Sequence, residues 1–197
     1  MRCFLFFLLI WANLTPLCIE AKTHVNVIEL IGAIGPVSVR HISAAIEQAE
    51  VDTAECLVIM MDTPGGLLES TQMIIKDILA ANVPVVVYVA PSGAGAGSEG
   101  GGRAGGGGGI TMSAHVAAMA PGTSIGAAHP VGVGGAIADS TMAEKISKFS
   151  VSYIRSITEK RGRNADWAER AVRESVAITS QEALALNVID LHESTLD

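Results

Sequence analysis

A single α/β domain built from layered β-α units is predicted for this chain on three observations. Short runs rich in Val and Ile at 24–31, 57–61 and 83–89 alternate with helix-length stretches, and Gly and Pro punctuate the joins. The third is length: 197 residues suffice for one hydrophobic core and little more. In the first run apolar and polar side chains alternate, as in a strand. After the turn from Gly32 to Gly35, Pro36 suits the first position of a helix over 37–49, because its fixed φ is already helical and its missing N–H is not needed there. The apolar run at 57–61 is the second strand, and the crossover helix between the two returns the chain for parallel pairing in a right-handed unit. A helix over 67–80 carries apolar Leu68, Ile75 and Leu79. The third strand, 83–89, is nearly all Val, the composition of a strand buried on both faces.

Beyond a glycine-rich stretch at 94–109, residues 116–120 form a short strand stopped by Pro121-Gly122, and 142–161 form one long helix with Ile146, Phe149, Tyr153, Ile154 and Ile157 as its apolar residues. Asn164 is placed to cap a helix over 165–174. Thr179-Ser-Gln-Glu182 has the spacing of a capping box, in which the hydroxyl takes the N–H three residues on while the carboxylate reaches back. A strand over 188–191 closes the chain.

Residues 1–21 have the pattern of a signal peptide or N-terminal anchor: Arg2 precedes an apolar stretch from Phe4 to Ala12, and Ala21 is the small residue a cut requires. Export to a periplasmic or other extracytoplasmic space follows, with membrane tethering where the leader is retained. Residues 22–197 are then the mature domain. Cys3 and Cys18 fall in the leader, so Cys56 is alone in that domain, and its apolar run makes it a small buried hydrophobe. No later segment reaches the roughly 20 apolar residues of a membrane span.

Thirteen Lys and Arg against 20 Asp and Glu give a net charge of −7, with the basic residues scattered and aromatics few. Neither a basic stripe nor a stacking platform exists, which argues against a nucleic-acid partner. No metal is expected, since neither a Cys pair nor His-x-x-x-His occurs, and no cofactor is expected. The glycines do not make a phosphate loop, because Gly109 is followed by Ile110-Thr111 and not by Lys-Ser or Lys-Thr.

Two segments can carry chemistry. Asp62-Thr-Pro-Gly-Gly66 ends a buried parallel strand, and Gly65 and Gly66 allow a turn whose N–H groups point into the crevice, where they can stabilise an oxyanion; a plain turn is the alternative. Ser98 follows the third strand by a short loop and so lies near the same sheet edge. A serine hydroxyl needs a base, and the candidates are Lys145, Lys148, His115 and His129. A lysine serves only when its amine is neutral, which requires burial.

Four motifs in order, Asp62-Thr-Pro-Gly-Gly-Leu-Leu68, Val85-Val-Val-Tyr-Val-Ala-Pro-Ser-Gly93, Met119-Ala-Pro-Gly-Thr-Ser-Ile-Gly-Ala-Ala-His-Pro130, and Tyr153-Ile-Arg-Ser156 with Arg161-Gly-Arg-Asn-Ala165, resemble the NfeD family of membrane-associated serine proteases of the ClpP class. The resemblance runs from about His24 to Leu191. It implies a ClpP/crotonase-type fold, a Ser-Lys dyad of Ser98 as nucleophile and Lys145 as general base, and oxyanion donors from the amides of Gly66 or Gly65 and of Glu99. His129 stands where ClpP has its histidine base and is the second choice. The implied substrate is an apolar peptide segment of a stomatin-like membrane protein, and the implied assembly a homodimer.

The chain departs from the family pattern after Ser98. Eight glycines lie between Gly100 and Gly109, where the family has an apolar helix. At about 1 kcal/mol each against alanine they penalise that helix by several kcal/mol and argue against its forming, while the carboxylate of Glu99 opposes an oxyanion. Longer members also carry membrane spans and a small β-barrel after this domain, which leaves the leader as the tether here. The competing expectation is a catalytically impaired peptide-binding module of the same fold. An acyl-CoA enzyme of the crotonase type is disfavoured, since no acidic residue stands beside the glycine amides as acid or base.

Overall fold

The computed structural model describes residues 24–97, 106–126 and 140–194. In chain order the elements are β1 (Val25–Ile31), α1 (Pro36–Val51), β2 (Cys56–Asp62), α2 (Leu68–Ala80), β3 (Val85–Val89), β4 (Gly95–Gly97), α3 (Gly106–Ser113), β5 (Val116–Met119), β6 (Ser124–Gly126), α4 (Ser140–Lys160), α5 (Ala165–Arg173), β7 (Ala177–Thr179), α6 (Ser180–Ala185) and β8 (Leu191–His192). The alternation of strand and helix produces a five-stranded sheet of order β1-β2-β3-β5-β8, parallel throughout. A small second sheet, β4-β6-β7, stands beside it, with β4 and β6 parallel and β7 antiparallel. All five main strands therefore end at one carboxyl edge.

The period of two on the strands sends Leu57, Ile59, Met61, Val85, Val87 and Val89 to the same side, where they meet Ile42 and Ile46 of α1, Ile74, Ile75 and Ile78 of α2, Ile154 of α4 and Trp167 of α5. Each such side chain contributes about 1.5–3 kcal/mol. The alternate strand residues make a smaller cluster of Val58, Tyr88, Ala90, Ala118 and Ala120 on the other face. Cys56 packs at its margin, half-buried, and burial first, then Glu55, pushes its thiol above the ordinary range.

Local signals act as the sequence predicts at three places. Pro36 opens α1. Asn164 accepts the Trp167 N–H at 2.8 Å, and Thr179 and Glu182 cap α6 reciprocally, at 2.9 and 3.3 Å.

Two expectations are corrected. The closing strand is β8, later than 188–191. Val188 and Ile189 are buried, but their N–H groups both turn to the Ala183 carbonyl, as at a helix end, so backbone bonding to β5 begins with the Asp190 N–H on the Ala117 carbonyl at 2.8 Å and the paired register with Leu191. The second correction is α3, which forms despite opening on Gly106 to Gly109. A side chain on Gly107 would lie 2.7 Å from Thr63 Cγ2 and 3.0 Å from Ala96 Cα, so the glycine is what lets the helix approach the neighbouring backbone. Burial of Ile110 and Met112 then offsets the glycine penalty, at about 2 kcal/mol apiece against about 1 kcal/mol per glycine. The strands β4, β6 and β7, three residues each, are too short for the sequence to show a period.

Candidate active site

The carboxyl edge is shaped by the Asp62-Thr-Pro-Gly-Gly66 loop. Asp62 Oδ1 accepts the Gly95 N–H at 3.2 Å, and buried Thr63 bridges to β4 through Thr63 N–H to Gly95 O (2.9 Å) and Gly97 N–H to Thr63 O (3.2 Å). Gly65, at φ +104°, gives its N–H to Thr63 Oγ1 at 3.0 Å and its carbonyl to Ile34 N–H at 2.9 Å. Gly66 lies against Ile34 so closely that a Cβ would overlap the Ile34 carbonyl. The bonds on that side run through the neighbours, Gly65 O and Leu67 N–H, and the Gly66 N–H donates to no group among the described residues. Of the two glycine amides predicted as oxyanion donors, Gly65 is thus engaged and Gly66 is open.

Ser98, Glu99 and His129 lie outside the described residues. The residues leading to them are described. Gly97, bonded to Ser98, is held to Thr63 and is the register partner of Gly126 on the adjacent parallel strand β6, and Gly126 is three positions before His129 in sequence. A Cβ on Gly97 would overlap the Gly126 carbonyl, and Gly126 sits at φ +132°, so glycine at both positions permits the pairing.

Lys145 is exposed on α4 and has no ion pair or hydrogen bond among the described residues. Tyr153 OH meets the Gln72 carbonyl at 3.5 Å and Arg161 Nε the Ser113 carbonyl at 2.7 Å, so α4 descends from the carboxyl to the amino edge. Lys145, about two turns before Tyr153, is therefore at the carboxyl-edge end of α4. Between α2 and α4 runs a groove of about 530 Å³ with Met73, Leu79, Phe149 and Tyr153 on its walls, the two rings stacked at 5.9 Å. Lys145 is one turn from Phe149, and Glu69, three residues after Gly66, is on the same groove.

The other two bases considered are placed elsewhere. Lys148 is exposed and paired with Glu144 at 2.7 Å, and that hydrogen bond holds the Glu144 carboxyl below the usual carboxylate range. His115 is at the opposite, amino edge, where Nδ1 accepts the Val85 N–H at 3.1 Å; burial, then Arg161, Arg163 and Lys160, lower its pKa. The amino edge also holds the arginines of the Arg161-Gly-Arg-Asn-Ala165 motif, whose task the sequence did not disclose. Among the described residues no group of three His, Cys, Asp or Glu could hold a metal, and no helix is long and apolar enough to cross a membrane.

A parallel α/β domain with close-packed glycines at 66, 97 and 126 along its carboxyl edge is the class that this fold and site define. The chain belongs to the NfeD1b N-terminal domain family, whose model matches residues 24–195. It is 36% identical over 176 residues to the membrane-bound protease PH1510 of Pyrococcus horikoshii, and the match covers 88% of this chain and 38% of that protein's length. Among solved structures, a serine-to-alanine mutant of the 1510-N membrane-bound stomatin-specific protease superposes with TM-score 0.80 at 34% identity over 89% of this chain and 82% of the other. A lysine-to-alanine mutant of the same protease with a substrate peptide gives 0.79 at 34%, covering 89% and 78%. The 1510-N protease specific for a stomatin homologue from Pyrococcus horikoshii gives 0.73 at 32%, covering 89% and 76%.

Proposed function

We propose that the chain is a serine endopeptidase, of ClpP/crotonase type, that cleaves apolar segments of a stomatin-like membrane protein. The observation that carries this reading is the tie of Gly97, the residue before Ser98, to Thr63, which stands three positions before Gly66 and its N–H, unpaired among the described residues, in the same loop. A nucleophile and an oxyanion donor at one sheet edge are what acyl transfer needs. Family membership and the likeness to a stomatin-specific protease support the activity and the substrate class.

In the proposed mechanism Ser98 Oγ attacks the scissile carbonyl while the neutral amine of Lys145 takes its proton. The oxyanion is received by the N–H of Gly66 and that of Glu99. Lys145 then returns the proton to the leaving amine, and water hydrolyses the acyl-enzyme by the same relay. Because Lys145 is exposed, the apolar substrate itself has to exclude water from its amine. A serine and a lysine replaced in the related solved structures support this pairing. The register of Gly97 with Gly126 favours His129 as the alternative base, since Ser98 and His129 follow paired positions. Residues 1–21 export the domain or tether it to the membrane, 22–197 form the protease, and two copies make a homodimer.

Cleavage of an apolar peptide is to be compared for the parent chain, Ser98→Ala, Lys145→Ala and His129→Ala. Loss in the first two with His129→Ala active is expected. Loss in His129→Ala with Lys145→Ala active moves the base, and equal traces in all four refute the protease and favour a peptide-binding module.

A further inference from the structure

Arg161 and Arg163 are two cations brought to one place by the fold, and the reaction proposed above uses neither. Arg163 is buried, with its side chain 2% exposed. Its Nη1 donates to the carbonyls of Met112 and Ala114, both at 2.9 Å, and its Nη2 to His115 O at 3.5 Å and to Asp190 Oδ2. Arg161 Nε takes the remaining carbonyl, Ser113 O, at 2.7 Å. Four consecutive carbonyls at the end of α3, from Met112 to His115, are thus received by two guanidinium groups. Asp190 fixes the Arg163 guanidinium and itself accepts the Ala117 N–H at 2.7 Å.

Helix C-termini carry partial negative charge and unpaired carbonyls, so cations there are favourable. α3 needs that support more than an ordinary helix does. Its first turn is Gly106 to Gly109, the poorest helix formers after proline, and its first turn is also the end that touches the catalytic edge: Gly107 lies against Thr63 and Ala96. Thr63 and Ala96 are the bridge that fixes Gly97. A rigid path therefore leads from the guanidinium pair, along α3, to the residues that carry Ser98 and Gly66.

We infer that Arg163, with Arg161, is a positioning residue for the nucleophile: it pins the far end of a glycine-rich helix so that the near end stays docked against β4, which leads to Ser98, and against Thr63 of the Gly66 loop. This rests on the Ser98 reading. A lysine in place of Arg163 keeps the charge but loses the planar fork that serves three carbonyls and Asp190 at once, whereas Arg161 gives up a single carbonyl bond, so Arg→Lys is least conservative at Arg163. Displacement of a catalytic group by about 1 Å costs up to about 100-fold in rate, so the effect shows in reactivity before it shows in folding.

The test uses the full chain, Arg163→Lys and the more exposed Arg161→Lys, which keeps the buried pair and folds if the first does not. Two quantities are read: the rate at which a fluorophosphonate modifies Ser98, and hydrogen exchange of the amides at 106–113 against those of β1 to β3. The expected result is a fall in Ser98 modification of about tenfold or more in Arg163→Lys and a smaller fall in Arg161→Lys, with faster exchange in α3 and unchanged exchange in β1 to β3. Guanidinium ion at millimolar concentration is expected to restore part of the rate in an Arg163→Ala chain. Parent-level modification in both lysine variants overturns the positioning role, and so does a fall matched by equal loss of protection throughout the sheet. A parent chain that is not modified at Ser98 overturns the protease reading instead, and the exchange data then decide the pinning of α3 alone.

Discussion

At the carboxyl edge of the sheet the chain shows backbone, with glycine at 65, 66, 97 and 126 and an N–H at Gly66 that has no partner among the described residues, whereas at the amino edge the side chains of His115, Arg161, Arg163 and Asp190 take up the carbonyls and amides around them. Among the described residues the first edge leaves the Gly66 N–H unpaired, and the second spends its hydrogen-bonding capacity on the fold. The difference teaches where substitutions should hurt activity and where they should hurt stability. α3 joins the edges, running from Gly107 beside Thr63 to Ser113 beside Arg161.

The largest expected effect is at Gly66. Alanine there overlaps the Ile34 backbone and turns the open N–H away, so Gly66→Ala should lower kcat by about 10²–10³-fold. Peptide-cleavage kinetics check this, and parent-level kcat would remove Gly66 from the oxyanion site. Next is Gly107→Ala, where the clash with Thr63 and Ala96 outweighs the gain in helix propensity; a loss of about 2 kcal/mol in urea unfolding is expected. Gly108 is the internal control, because its Cβ would meet nothing nearer than 3.6 Å, and Gly108→Ala should stabilise by up to about 1 kcal/mol. If both alanines act alike, close approach is not what the glycines of α3 provide.

At the amino edge Asp190→Asn keeps an acceptor for Ala117 N–H but removes the charge facing Arg163. A loss of about 1.5 kcal/mol in unfolding free energy is expected, with KM for peptide unchanged. The smallest effect is the pH response of His115. Burial and the neighbouring cations lower its pKa from 6.5 in the folded chain, so the unfolded chain binds the proton more tightly. The stability this neutral ring contributes is complete above about 6.5 and is lost as pH falls through the window below it. His115→Asn, which retains an acceptor for the Val85 N–H, should flatten the unfolding curve in that window; an unchanged slope would assign it to other groups.

Much of this was legible in the sequence because it is written locally. Val-rich runs gave the parallel strands, Pro36, Asn164 and the Thr179-Glu182 box marked helix starts, and the two glycines after a buried strand announced a crevice. What was not legible depends on contacts distant in sequence. Propensity argued against α3, since nothing local says that Gly107 must approach Thr63, 44 positions earlier. Likewise Arg161 and Arg163 resemble surface cations until α3 is brought to them, although their recurrence in a motif with Asn164 was a signal. The engagement of Gly65 by its own neighbour Thr63, which separates it from Gly66, needed the loop geometry. Ser98, Glu99 and His129 rest on the flanking strands and on family resemblance.

The most direct test of the central claim is to treat the full chain with a fluorophosphonate and locate the adduct by peptide mass mapping. The account predicts a single adduct on the peptide containing Ser98, absent from Ser98→Ala and slowed in Gly66→Ala. An adduct on another serine, or none under conditions where the parent cleaves peptide, would contradict it.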